Sequence, residues 1–133
     1  MFILTDEQTS QMLSSLISYC KDYSLKVSDD SLRVCIKHLD LVLEANKTTN
    51  LTRILNVDDA AVLHILDSLV LLPYLNKAPE GALLDMGTGA GFPGIPLTIA
   101  SGRKATYIDS VGKKVDAVNS FVKELGLKHA EAV

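Results

Sequence analysis

Ten consecutive residues, Asp85-Met86-Gly87-Thr88-Gly89-Ala90-Gly91-Phe92-Pro93-Gly94, carry the densest chemistry in the chain. An apolar run over 82–86, with an acid inside it, meets glycines at alternate positions: Gly87, Gly89 and Gly91. That pattern is how a buried parallel strand hands over to a tight loop whose backbone comes close to a ligand. A side chain at such positions would obstruct the approach, and some of the required φ values are positive. A nucleotide-like cofactor is the expected occupant. A glycine-rich turn with no ligand is the plain alternative.

Two fingerprints overlap in the loop. Gly89-Ala90-Gly91-Phe92-Pro93-Gly94 fits the dinucleotide pattern G-x-G-x-x-G, a weak signal by itself. Asp85 to Gly91 fits acid-x-G-x-G-x-G, the form typical of enzymes that use S-adenosyl-L-methionine. A dinucleotide would lay an anionic pyrophosphate beside the Asp85 carboxylate, an unfavourable juxtaposition. The sulfur cofactor has no phosphate and is cationic at its ammonium and sulfonium groups, so the same acid assists it. Asp109, twenty residues past Gly89, closes the next strand, where an acid can receive ribose hydroxyls. Asp109 or Ser110 is equally suited to cap the helix that follows. His64, Asp67 and Ser68 fall at i, i+3 and i+4, one polar stripe on an otherwise apolar helix. They form either a satisfied buried cluster or a support that lies near the glycine loop.

The elements that must position these residues follow from periodicity. Thr5 and Gln8 have the form of a capping box, followed by Leu13, Leu16, Ile17 and Cys20 at helical spacing. A second helix starts near Ser28, with Leu32, Cys35, Ile36, Leu39, Val42 and Leu43 on one side. A third covers about 58–71, apolar nearly all round and stopped by Pro73. From residue 81 the pattern changes to β-α-β-α-β. Strands are expected over 82–86, 104–109 and 130–133, and helices over 94–101 and 111–125. The first strand lacks polar alternation, which suits the middle of a sheet covered on both faces. The fold class is therefore α/β: N-terminal helices over 1–80 packing on the sheet, then the first half of a doubly wound, Rossmann-like domain over 81–133. Such a half leaves its first strand with one edge unpaired and much of its faces uncovered, so the expectation is a truncated chain or an open half that self-associates through that edge.

Composition is that of an ordinary globular protein, 47% apolar and 22% charged over 133 residues. A net charge of −3 gives no electrostatic footprint for nucleic acid, although residues 81–133 balance 6 basic against 5 acidic groups while 1–80 carry 7 against 11. Cys20 and Cys35 make no metal or redox pattern and belong with the core. No basic, apolar leader or membrane-length run is present, so a cytoplasmic location with no membrane or metal partner is expected.

Asn50-Leu51-Thr52, His64-Ile65-Leu66-Asp67-Ser68-Leu69, the run 85–97, Asp109-Ser110-Val111-Gly112-Lys113-Lys114 and Glu124-Leu125-Gly126-Leu127 occur in an order and spacing that closely resemble the RsmG (GidB) family. The similarity covers essentially the whole chain. It implies an S-adenosyl-L-methionine-dependent methyltransferase acting on N7 of a guanine in 16S ribosomal RNA, with that RNA or the small ribosomal subunit as partner. It implies cofactor binding by Gly87 and Phe92, a loop shaped by Gly89 and Gly91, and Asp109 on the ribose side. The His64–Ser68 stretch is similarly a family hallmark near the site. Members usually carry Arg before that His, where Leu63 stands here, and they continue into further strands and cofactor contacts. An N-terminal portion that is inactive alone is the resulting expectation. Guanine N7 has a lone pair and no proton, so transfer needs no general base and no catalytic residue is singled out. A nicotinamide-binding half-domain and a non-catalytic associating module are the competing readings.

Overall fold

A computed structural model describes residues 3–53 and 56–133. Helix α1 (Asp6–Asp22) opens with the expected capping box: the Thr5 hydroxyl accepts from the Gln8 amide and the Gln8 side chain accepts from the Thr5 amide. Helix α2 (Asp29–Ala45) is capped by Ser28 and buries Leu32, Cys35, Ile36, Leu39, Val42 and Leu43. Its stripe is wider than the sequence reading, because His38 and Asp40 are buried too. Asp40 accepts from the amides of Ile3 and Leu4 at 2.8 and 3.0 Å, tying the N-terminal segment to α2.

The third helix is not continuous. It begins as α3 (Val57–Ala60), widens into a π-helical segment (Ala61–Leu66) and closes as α4 (Asp67–Leu69). Pro73 does not merely stop it. Pro73 sits in the first turn of a separate helix, α5 (Leu72–Lys77), where its missing N–H costs nothing.

Strand β1 (Leu83–Met86) pairs in parallel with β2 (Ala105–Ile108), and β2 with β3 (Ala130–Ala132), in the order β1-β2-β3. Helix α6 (Gly94–Ser101) joins the first pair and α7 (Gly112–Leu125) the second. Pro93 and Pro96 fall at the N-cap and in the first turn of α6, the positions that tolerate proline. Both crossover helices lie on one face of the sheet, against Asp85, Tyr107 and Ala132. The other face is open: Leu84 is 56% and Met86 75% exposed. The cover on both faces that the apolar run suits is absent on this side, as the uncovered faces expected of a half sheet imply. Leu83 and Asp85 point toward α6, while Leu84 and Met86 meet no covering element among the described residues.

Two apolar clusters form the core. One gathers α1, α2 and the π segment, the other α6, α7 and the sheet, and both Phe92 and Ile99 pack against each. Cys20 and Cys35 are free and buried, as their positions on the helical stripes require. Burial pushes the Cys35 thiol up to about 12, which makes it chemically quiet. Among the described residues no helix is long and apolar enough to cross a membrane, and no three His, Cys, Asp or Glu side chains are grouped to hold a metal.

Candidate functional site

The loop between β1 and α6 leaves the C-terminal end of the sheet, the end where open α/β sheets receive ligands. Gly87, Gly89 and Gly91 have φ values of 78°, 59° and 95°. Their surroundings differ. A Cβ built at Gly87 or Gly89 meets no atom within 4 Å, so the backbone there borders open space. A Cβ at Gly91 would stand 2.5 Å from Ile95 Cδ1 and 3.2 Å from His38 Nε2. Gly91 is therefore required by packing within the protein, and only the first two glycines present a free face. Gly94 is also a packing position, since its Cβ would meet Asp85 Oδ2 at 2.6 Å and the Tyr107 ring at 2.7 Å.

Asp85 lies inside the loop. Its Oδ2 accepts from the Thr88 hydroxyl at 2.7 Å and from the Gly94 amide at 3.0 Å, joining both ends of the turn. Its neighbour on the same sheet face, Tyr107, is fully buried, and its hydroxyl pairs with Thr98 at 2.6 Å. Burial pushes the Tyr107 phenol up to about 12. Tyr107 is a core residue.

Asp109 does not cap α7, whose N-cap is Val111 with no side-chain cap bond; it ties the entry of that helix to the glycine loop instead. Oδ1 accepts from the Val111 amide at 2.9 Å at the start of α7, and Oδ2 accepts from the Gly89 amide at 2.9 Å. These backbone donors, Val111 first and Gly89 second, hold the carboxyl below the usual carboxylate range, with Lys114 adding to the effect. Ser110 is exposed beside it. The amides of Gly87 and Thr88 both donate to the Ile108 carbonyl, at 2.7 and 2.9 Å, so the loop root is locked to β2. Further along, Gly91 and Phe92 both donate to the Thr88 carbonyl.

The polar stripe of 64, 67 and 68 does not survive as one face. The π turn carries more residues per turn than an α-helix, and it leaves Asp67 exposed while Ser68 is buried and His64 half-buried. Ser68 donates its hydroxyl back to the His64 carbonyl at 2.6 Å. The His64 ring stacks on Phe92 with centroids 4.4 Å apart and planes 11° apart, and its Nε2 pairs with Thr52 Oγ1 at 2.8 Å. Desolvation lowers the His64 pKa, with Asp67 acting in the opposite sense. Thr52 is itself held by Asn46, whose Oδ1 accepts from the amides of Leu51 and Thr52. Thus Thr52, His64 and Phe92 of the glycine loop are linked in a row, whereas Asp67 is exposed.

One site-forming residue was missed in the sequence. His38 is fully buried, its ring 4.5 Å from Phe92, and its Nε2 lies 2.9 Å from the Ala90 carbonyl. The available signal was the set Cys35, His38 and Val42, which repeats at helical spacing and places an imidazole on an apolar stripe.

A parallel sheet with crossover helices, and a glycine loop at the C-terminal end of its first strand, define a Rossmann-like α/β protein with a cofactor-type turn. The family model described as "rRNA small subunit methyltransferase G" (GidB) matches residues 32–133, and the chain belongs to that family. Among similar proteins, the ribosomal RNA small subunit methyltransferase G of Alkaliphilus metalliredigens is 36% identical over 86% of this chain and 48% of its own length. Its counterpart in Hydrogenovibrio crunogenus is 36% identical over 98% of this chain and 59% of its own. That of Acinetobacter baumannii is 39% identical over 82% and 51%. The chain spans about half of the length of these relatives.

Proposed function

We propose that the loop over 87–92 binds S-adenosyl-L-methionine and that the chain serves methylation of guanine N7 in 16S ribosomal RNA. The observation that carries this reading is the open backbone face at Gly87 and Gly89, flanked by the Asp109 carboxylate at the end of β2. In it, Gly87, Gly89 and the backbone of Phe92 border the cofactor, Asp109 and Ser110 lie on its ribose side, and Thr88 and Gly91 maintain the turn. Asp85 acts from within the loop, through its charge and its two hydrogen bonds rather than by contact. His64, with Ser68 behind it, supports the loop through Phe92.

When bound, the cofactor supplies an electrophilic methyl group on a sulfonium. Guanine N7 carries its own lone pair and no proton, so the protein's contribution would be placement and the exclusion of water. The target base must be unstacked or already exposed. Leu63, 53% exposed, stands where the resemblance leads one to expect an Arg, so any hold on RNA by that Arg is missing here.

Calorimetric titration with S-adenosylhomocysteine, with NAD as the parallel arm, tests the reading. Weak, saturable binding of the homocysteine compound and no turnover on small-subunit RNA by a polypeptide of these 133 residues is expected. Saturable NAD binding alone would give the site to a nicotinamide oxidoreductase. The exposed Leu84 and Met86 favour an associating module as a second reading, which a strictly monomeric, folded chain in light scattering would remove.

A further inference from the structure

His38 belongs to α2, far in sequence from the glycine loop, yet it touches that loop twice. Its Nε2 faces the Ala90 carbonyl at 2.9 Å. A carbonyl only accepts, so Nε2 carries the proton and Nδ1 is left with a bare lone pair. Nδ1 is buried and has no hydrogen-bond partner among the described residues. Orphaned buried acceptors are rare and costly, so the residue is not explained by space-filling. A phenylalanine would occupy the same apolar volume beside Phe92 and Phe121 with no orphan. What it could not do is satisfy the Ala90 oxygen.

The loop is built to accept this contact. Gly91, between the carbonyl and the stacked ring, has no room for a Cβ because Ile95 and the same Nε2 fill that space. Phe92 is flanked by two imidazoles, His38 at 4.5 Å and His64 at 4.4 Å.

We propose that His38 is a positioning residue for the cofactor loop: its Nε2–H fixes the Ala90 carbonyl and its ring braces Phe92, so the backbone around Gly91 is set before a ligand arrives. Setting the loop is independent of which ligand binds. The consequence for S-adenosyl-L-methionine rests on the function proposed above. The buried ring packs against Phe92 and Phe121, and the titratable group acting on it is His64, beyond Phe92. Burial lowers the His38 pKa to about 4, which agrees with a neutral ring at working pH.

The test begins with long-range proton–nitrogen NMR spectra of the imidazoles in the wild-type chain. A single Nε2–H tautomer that does not titrate between pH 5 and 8 is expected. An Nδ1–H tautomer, a mixture, or a titrating ring overturns the proposal. Two variants then separate the donor from the ring. His38→Phe keeps the aromatic volume and loses the donor, whereas His38→Gln places an amide donor near Nε2 and loses the ring. Hydrogen-exchange protection of the Gly91 and Phe92 amides should fall on the order of tenfold in His38→Phe, with α1 amides unchanged, and recover in His38→Gln. Retained protection in His38→Phe with loss in His38→Gln would show a packing role and refute the assignment. Titration with S-adenosylhomocysteine is a separate arm. Failure of every form to bind would strike the cofactor reading, while the ligand-free spectra still decide the role of His38.

Discussion

Alanine at Gly89 and at Gly91 should have opposite consequences, although both glycines have positive φ. At Gly89 the backbone, at φ 59°, lies in the left-handed region and a Cβ meets nothing within 4 Å. The expected stability cost of Gly89→Ala is the conformational one alone, about 1 kcal/mol. At Gly91 the φ of 95° is less hospitable to a side chain, and the Cβ stands 2.5 Å from Ile95 Cδ1. Ile95 is fully buried, so its side chain can yield only by displacing its neighbours. Overpacking of this kind adds roughly 1–3 kcal/mol to a backbone term of ~1–2 kcal/mol, for a total of about 2–5 kcal/mol. Urea unfolding at constant m reads both values. Ligand affinity should reverse the order for folded protein: the Gly89 methyl projects into the open space proposed for the cofactor, and Gly89→Ala should lose S-adenosylhomocysteine binding while remaining well folded. Equal stability losses at the two positions would refute the distinction between an open glycine and a packed one.

Acid should weaken the fold through His38. Its pKa is about 4 in the folded chain against 6.5 for an ordinary imidazole, so the unfolded chain binds the extra proton between those values. Stability from this group is fully present above pH 6.5 and drains away as pH falls toward 4, on the order of 3 kcal/mol in all. His64 is lowered in the same direction. Urea midpoints measured from pH 7.5 to 4.5 should fall more steeply in the wild type than in His38→Phe, and parallel curves would contradict the assignment. Arg103 donates to four carbonyls, those of Leu75 and Ala78 through one nitrogen and Pro79 and Gly81 through the other. Arg103→Ala should cost about 1–2 kcal/mol in thermal or urea unfolding. Arg103→Lys should recover little, because a single ammonium cannot span the four acceptors. Full recovery by lysine would show that charge alone matters.

Much of the loop's setting was legible because it is written locally. The capping box at Thr5 and Gln8 depends on residues three apart, and the strand–glycine–helix run over 82–101 is encoded by an apolar segment, alternate glycines and two prolines at tolerated positions. Features that depend on partners distant in sequence were not. A continuous apolar strand reads the same on both faces, so the half sheet's uncovered surface was expected but its assignment to the Leu84 and Met86 side was not. The π segment has no distinguishing composition, and its wider turn took Asp67 out of a stripe that an α-helical wheel drew through it. His38 escaped attention because a histidine on an apolar face declares its purpose only when its carbonyl partner, 52 residues away, is known.

The helices before residue 80 are part of how the glycine loop is made. Leu51 and Thr52 are tied to Asn46, at the end of α2, the π segment presents His64 to Phe92, and α2 presents His38 to both Phe92 and Ala90. The Rossmann-like turn thus has few internal means of holding Phe92, and its ring is clamped by groups from the N-terminal helices. Phe92 and Ile99 pack on both apolar clusters, so the change from helices to sheet near residue 80 is not a break in the core. With its contacts supplied by α2 and the π segment, the glycine loop is expected to lose order when α2 is perturbed, so substitutions in α2 should act on the loop without touching the space in front of Gly87 and Gly89.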